Sequence, residues 1–266
     1  MIAALARAGL ALDEPRYRDA AVGAAAFLKR SLTEENGRLL ARWRAGQAAH
    51  PGKLDDYAFC AWGLLELYGV TFRTAYLAEA GDLTARLLEQ FFFDGKKRRV
   101  FTPTRRMGNS SSPGQRRPMT GPCRRAMRQR RWFSPAWPAS PGRPAGGPPP
   151  ICSWAIWLGP PGPIPPDTVF AMLVFLEELW PSAELVCAAR TMPEELAAFL
   201  REASRPELTV LVKTPETAKP LEELAPLHGG LSDSGDRRPG TIYAGTAPVP
   251  GRWTVFSEVR RLLEQN

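Results

Sequence analysis

Between residues 95 and 166 the chain carries 14 Arg or Lys and not one Asp or Glu, together with 16 of its 27 prolines and 4 of its 8 tryptophans. Proline removes backbone donors and fixes φ, so this density is incompatible with regular helices or sheet, while the tryptophans are out of place in ordinary disordered chain. A fold containing this window has to form around it. The window also accounts for the charge. The formal net charge is +8, yet the residues outside it hold 21 basic against 27 acidic side chains, a balance of −6. The body is mildly acidic, so the overall basic balance does not describe a folded surface.

Residues 1–93 are written at helical spacing. Ile2, Leu5, Ala6 and Gly9 share one face, Tyr17, Ala20, Ala24, Phe27 and Leu28 another, and Pro15 suits a helix start. Residues 37–49 alternate as a short hairpin or extended loop does, after which Tyr57–Leu67 and Ala75–Phe91 return to helical spacing. Sliding the chain on itself by 59 residues pairs Leu5 with Leu64, Tyr17 with Tyr76 and Leu28 with Leu87. Two helix–turn–helix units joined by a long loop are expected, which is how α/α toroids are built.

Beyond the window, Thr168–Trp180 reads as a helix, 183–189 as a buried strand, Pro193–Ala203 as a helix and 208–214 as a second strand. A helix-length crossover between the strands predicts that they lie parallel, in a small βαβ unit. Pro220–Leu227 is expected to be a short helix and Val255–Leu263 a helical tail.

Cys60, Cys123, Cys152 and Cys187 form neither a C-x-x-C pair nor a disulfide framework. This spacing argues for a reducing compartment and against structural zinc, with Cys60 and Cys187 as small buried thiols. No signal peptide and no transmembrane run are legible, so a cytoplasmic protein without membrane contact is expected. There is no P-loop and no complete G-x-G-x-x-G, and His228 has no triad partner beside it.

The stretch HPGKLDDYAFCAWGLLELYGVTFRTAYLAEA (50–80), with MIAALARAG (1–9) before it and the βαβ tail after it, resembles the C-terminal half of the spermatogenesis-associated, thioredoxin-domain protein family. The resemblance covers about three quarters of the chain. It implies an (α/α)6 toroid like those of six-hairpin glycosidases and N-acylglucosamine 2-epimerases, entered partway through. The thioredoxin-like domain and the first toroid helices would then be absent. A half toroid would expose faces that its missing helices cover, so aggregation is expected.

The resemblance also explains the basic window. The family carries a segment like R-P-K-E-A-Y-D-G-A-M-P-S-G-N-A-A at about this point, where this chain has PGQRRPMTGPCRRAMRQ (113–129). If each codon takes the last base of one triplet and the first two of the next, residues 113–129 can encode all sixteen residues of that segment. Met119 and Thr120, for example, yield Asp, and Cys123 through Met127 yield Pro-Ser-Gly-Asn. A frame slip accounts for the arginines and prolines by codon arithmetic, and the paired arginines beside Trp132 and Phe133 then need no nucleic-acid ligand. A second slip is expected from Ala244 to about Val255.

Asp55 and Asp56 open a helix, where carboxylates serve as caps and complement the helix dipole. The resemblance implies a second role, with one of them pointing into the toroid cavity as an acid/base or sugar-binding group. Tyr57 could offer a stacking face and His50 a titratable ring, although His50 precedes Pro51 on an expected solvent-exposed loop. Arg42 and Arg44 could hold an anionic substrate or pair with Asp55 or Asp56 at the surface.

The expected architecture is mainly α: a partial (α/α)6 toroid over 1–94, an Arg/Pro/Trp-rich disordered segment over 95–166, and a toroid helix plus a small α/β tail over 167–266. Catalysis would fall to Asp55 or Asp56, and substrate binding to Tyr57, Arg42, Arg44 and His50. No metal or cofactor is expected. A saccharide is the expected partner and this chain is expected to be inactive. The alternative is a non-catalytic scaffold that presents a thioredoxin-like domain.

Overall fold

A computed structural model describes residues 1–95, 98–101, 183–190, 193–202, 208–224, 241–245 and 252–253. These residues are mainly helical, with two β-hairpins and one small sheet. Helices α1 (Ile2–Ala11), α2 (Pro15–Leu32), α3 (Leu54–Thr71) and α4 (Thr74–Phe91) form two antiparallel pairs. Pro15 occupies the first turn of α2, where its missing N–H would have no helical partner.

Among the described elements α3 is central. Leu54, Tyr57, Ala58, Ala61, Leu64, Leu65, Leu67 and Tyr68 are all buried, which spreads its apolar contacts around most of the helix. α1 crosses it closely. A Cβ at Gly63 would come 3.2 Å from Cβ of Ile2, a tight contact, so a side chain there would press the two helices slightly apart. α1 packs against both α2 and α3, and α3 against α4. Ion pairs tie the units together: Arg7 of α1 with Glu66 of α3, and Lys29 of α2 with Glu79 of α4.

The alternating 37–49 segment resolves into a hairpin, β1 (Leu40–Arg44) and β2 (Gln47–Pro51), with Arg44 opposite Gln47. Ala45 (φ 49°) and Gly46 (φ 79°) are both left-handed, the backbone that a two-residue turn needs to match the twist of its strands. A second hairpin, β3 (Phe92–Gly95) and β4 (Arg98–Phe101), continues directly from α4 and straddles the expected domain boundary at 94/95.

The C-terminal unit contains β5 (Ala183–Ala188), α5 (Glu194–Glu202), β6 (Leu208–Lys213) and α6 (Ala218–Leu224). β5 and β6 are parallel as the crossover requires, with Ala183 opposite Leu208. The sheet is larger than a βαβ unit, however. β7 (Thr241–Gly245) pairs antiparallel with β5, and β8 (Arg252–Trp253) with β7, giving the order β6-β5-β7-β8. α6 begins before Pro220 because Thr214 and Thr217 exchange hydrogen bonds ahead of it, with the Thr214 N–H donating to Thr217 Oγ1 at 2.8 Å.

Val186, Leu211 and Leu221 join the same apolar core as Ile2, Leu64 and Leu77, so the sheet and the helices share one interior. The Val212 N–H also reaches the Tyr68 hydroxyl, at 3.5 Å. No helix among the described residues is long and apolar enough to cross a membrane. The helices expected at 168–180 and 255–263 lie outside the described residues, as does most of the 95–166 window.

Candidate functional site

The base of the β1–β2 hairpin is fastened to the first turn of α3, and this junction places most of the candidate residues. The Leu39 backbone supplies the fastening. Its carbonyl accepts from the Gly52 N–H at 2.7 Å, and its N–H donates to the Tyr57 hydroxyl at 3.0 Å. Tyr57 is 1% exposed and its ring meets Phe91 edge-on, 5.6 Å between centroids. The ring is packed into the core, so Tyr57 offers no face to a ligand; it anchors the loop.

Asp56 has a specific local duty. Its Oδ2 accepts the Lys53 backbone N–H at 2.8 Å, which satisfies a donor at the open end of α3. The residue at the N-cap is Lys53; Asp56 acts from the third helical position, one turn further in than the cap expected from sequence. Asp55 precedes it in the same acidic first turn and is half-buried.

Arg42 and Arg44 alternate on β1 and are exposed. Among the described residues neither forms an ion pair with Asp55 or Asp56, so the surface pairing considered from sequence is not formed. Trp43 between them turns the other way, its ring 5.8 Å from Phe27 of α2. His50 lies on strand β2 and not on a loop. It is exposed, with φ 64°, where the chain bends toward Pro51 and α3.

A polar group that the sequence reading did not single out lies further along α3. The Arg7 Nε–H donates to Glu66 Oε2 at 2.8 Å and an Nη2–H to Oε1 at 2.9 Å, a two-point guanidinium–carboxylate contact. The Trp62 indole N–H donates to the same Oε1 at 2.7 Å. One turn earlier, Phe59 is 47% exposed, its ring centroid 6.3 Å from that of Trp62 at an angle of 43°. Asp55, Phe59, Trp62 and Glu66 follow at i, i+4, i+7 and i+11, so they form one stripe along α3, with Phe59 exposed and the other three part-buried. That spacing is visible in the sequence once α3 is known to be buried elsewhere.

Cys60 lies between α3 and α4. Burial, with the negative charges of Glu79 and Asp56 nearby, pushes its thiol up to about 12, so it stays protonated and a poor nucleophile. Burial likewise raises the Tyr68 hydroxyl, opposed by the hydrogen bond from Val212. Among the described residues no three His, Cys, Asp or Glu side chains come together as metal ligands. No known protein-family model matches this chain, and no characterised protein matches it in sequence.

Proposed function

We propose that the helical part of this chain is a non-catalytic carbohydrate-binding module: two successive hairpins of an α/α toroid wall, with α1 and α3 as neighbouring inner helices. The observation that carries the reading is the Arg7–Glu66 contact. These residues are 59 apart, the same offset that aligns the two helical units in the sequence, so equivalent positions of consecutive hairpins touch. The resemblance of 50–80 to the thioredoxin-domain family adds the toroid and its saccharide class. It also places the module in a cytoplasmic protein, which accords with the two free thiols Cys60 and Cys187.

Binding without turnover is favoured because glycoside hydrolysis uses two carboxylates, one protonating the leaving group while the other attacks or activates water. Asp56 is engaged as the cap of α3, so this pair does not offer two carboxylates for that chemistry. The out-of-frame 95–166 segment would have supplied further cavity lining. A second reading, a scaffold that presents a thioredoxin-like domain, draws on the same cap, since it gives Asp56 a structural role only.

A calorimetric and thermal-shift screen of the purified chain with mono- and disaccharides, with product analysis, distinguishes the readings. Saturable binding with the sugar recovered unchanged is expected. Turnover abolished by Asp55→Asn would overturn the non-catalytic assignment, and absence of binding to any sugar would leave the scaffold.

A further inference from the structure

Resting on the carbohydrate reading above, we infer that the outward face of the β1–β2 hairpin, where Arg42 and Arg44 follow Arg38 and the guanidinium of Arg86, takes an oligosaccharide that carries carboxylates. Between residues 36 and 54 the chain has four cations, Arg38, Arg42, Arg44 and Lys53, and no Asp or Glu, although the residues outside the 95–166 window are acidic on balance. Strand alternation sorts the side chains of the hairpin. Leu39 is buried and the Trp43 ring meets Phe27, so these two mark the protein side and the alternate positions face outward. Arg42 and Arg44 are exposed there, opposite Ala49 and Gln47 of β2, so their cross-strand neighbours carry no charge. At the rise of a strand the Cα atoms of Arg42 and Arg44 stand about 7 Å apart, and that of Arg38 roughly 14 Å before Arg42.

Arg86 of α4 extends this row. Its guanidinium lies on Gly37: a Cβ there would come 2.5 Å from Nη2 and 2.7 Å from Cζ, and Gly37 has φ 75°, so a larger residue would displace the guanidinium and strain the backbone. Asp82 and Glu89 lie about one turn to either side on α4, yet Arg86 pairs with neither. Among the described residues Arg42, Arg44 and Arg86 form no ion pair, and Arg38 has one carboxylate, Glu34, at 3.8 Å. Cations gathered along one face repel one another, and an anion laid across them relieves that repulsion. All four are arginines, whose planar fork donates to a carboxylate at two points. The outward face of the hairpin has no aromatic side chain, since Trp43 turns toward Phe27, so the bases of single-stranded nucleic acid would find nothing there to stack on. Carboxylates repeated along a saccharide chain match the row without such a platform.

Calorimetry of the full chain with tetragalacturonate, with its methyl ester and with tetraglutamate, at low and moderate salt, tests this. The free saccharide acid is expected to bind more tightly than the other two and to weaken as salt rises. Arg42→Gln combined with Arg44→Gln should weaken it about tenfold or more. Arg42→Lys combined with Arg44→Lys should recover only part of that loss, since lysine keeps the charge without the fork. Gly37→Ala, which displaces Arg86, should weaken binding to a smaller extent. Arg42 and Arg44 are exposed, so the melting temperature of the double Gln variant is expected to match the parent, which excludes unfolding as the cause. Binding unchanged in the double Gln variant, equal affinity for the ester or for tetraglutamate, or binding of neutral saccharides with none of tetragalacturonate would overturn the arginine row and leave the carbohydrate reading standing. No binding of any saccharide would overturn both.

Discussion

Arg7 and Glu66 meet through two parallel hydrogen bonds of 2.8 and 2.9 Å across the crossing of α1 and α3. The carboxylate side chain is 15% exposed and also holds Trp62, so the pair is better shielded than an ordinary surface ion pair. A double-mutant cycle with Arg7→Ala and Glu66→Ala, read by urea denaturation, should give a coupling of about 1–2 kcal/mol. A coupling indistinguishable from zero would mean that the two hairpins are not joined at this point.

Asp56→Ala should destabilise the protein by about 1 kcal/mol, because the Lys53 N–H loses its acceptor and the helix dipole its carboxylate. Asp56→Asn keeps an acceptor oxygen and should lose only a few tenths of that scale. Equal losses in the two variants, measured by thermal unfolding, would show that the charge and not the hydrogen bond is what matters.

The Tyr57 hydroxyl serves the Leu39 N–H inside the core. Tyr57→Phe keeps the ring against Phe91 and removes the acceptor, so a loss of about 1–3 kcal/mol is expected from the unsatisfied backbone donor. Saccharide affinity should not change. An affinity loss with stability intact would return Tyr57 to the binding surface.

Cys60 links pH to stability. Its thiol titrates near 12 in the folded chain, against 9.0 when unperturbed, so the unfolded chain sheds this proton first as the pH rises. The contribution is fully present below pH 9.0 and is lost as the pH climbs toward about 12. Urea midpoints should therefore fall above pH 9 more steeply in the parent than in Cys60→Ala. Alkylation mapped by mass spectrometry at pH 8 should find Cys60 unreacted without denaturant, and rapid modification there would contradict its burial.

Periodicity exposed the four helices and the parallel β5–β6 pair in the sequence because amphipathic helices and buried strands record their surroundings in their own spacing. β7 and β8 were not legible. Tyr243 of β7 lies opposite Val186, far back in the chain, and β8, a two-residue strand, has no period to read. At the site, the first turn of α3 was found from Asp55 and Asp56, but whether an acid caps a helix or faces a cavity is decided by where Lys53 presents its N–H. Tyr57 has the same composition whether it faces core or solvent. The Phe59–Trp62–Glu66 stripe was hidden because α3 is apolar nearly all round, so its less buried side stands out only once the other sides are packed.

The proposal that this chain binds without turnover draws on reading residues 95–166 as out of frame, in place of cavity-lining sequence. The nucleotide sequence from codon 94 to codon 167 tests this most directly. The account predicts a one-base insertion or deletion at each end and, in the shifted frame across 113–129, an open reading of R-P-K-E-A-Y-D-G-A-M-P-S-G-N-A-A. Third bases incompatible with that reading, or a stop codon within it, would contradict the account.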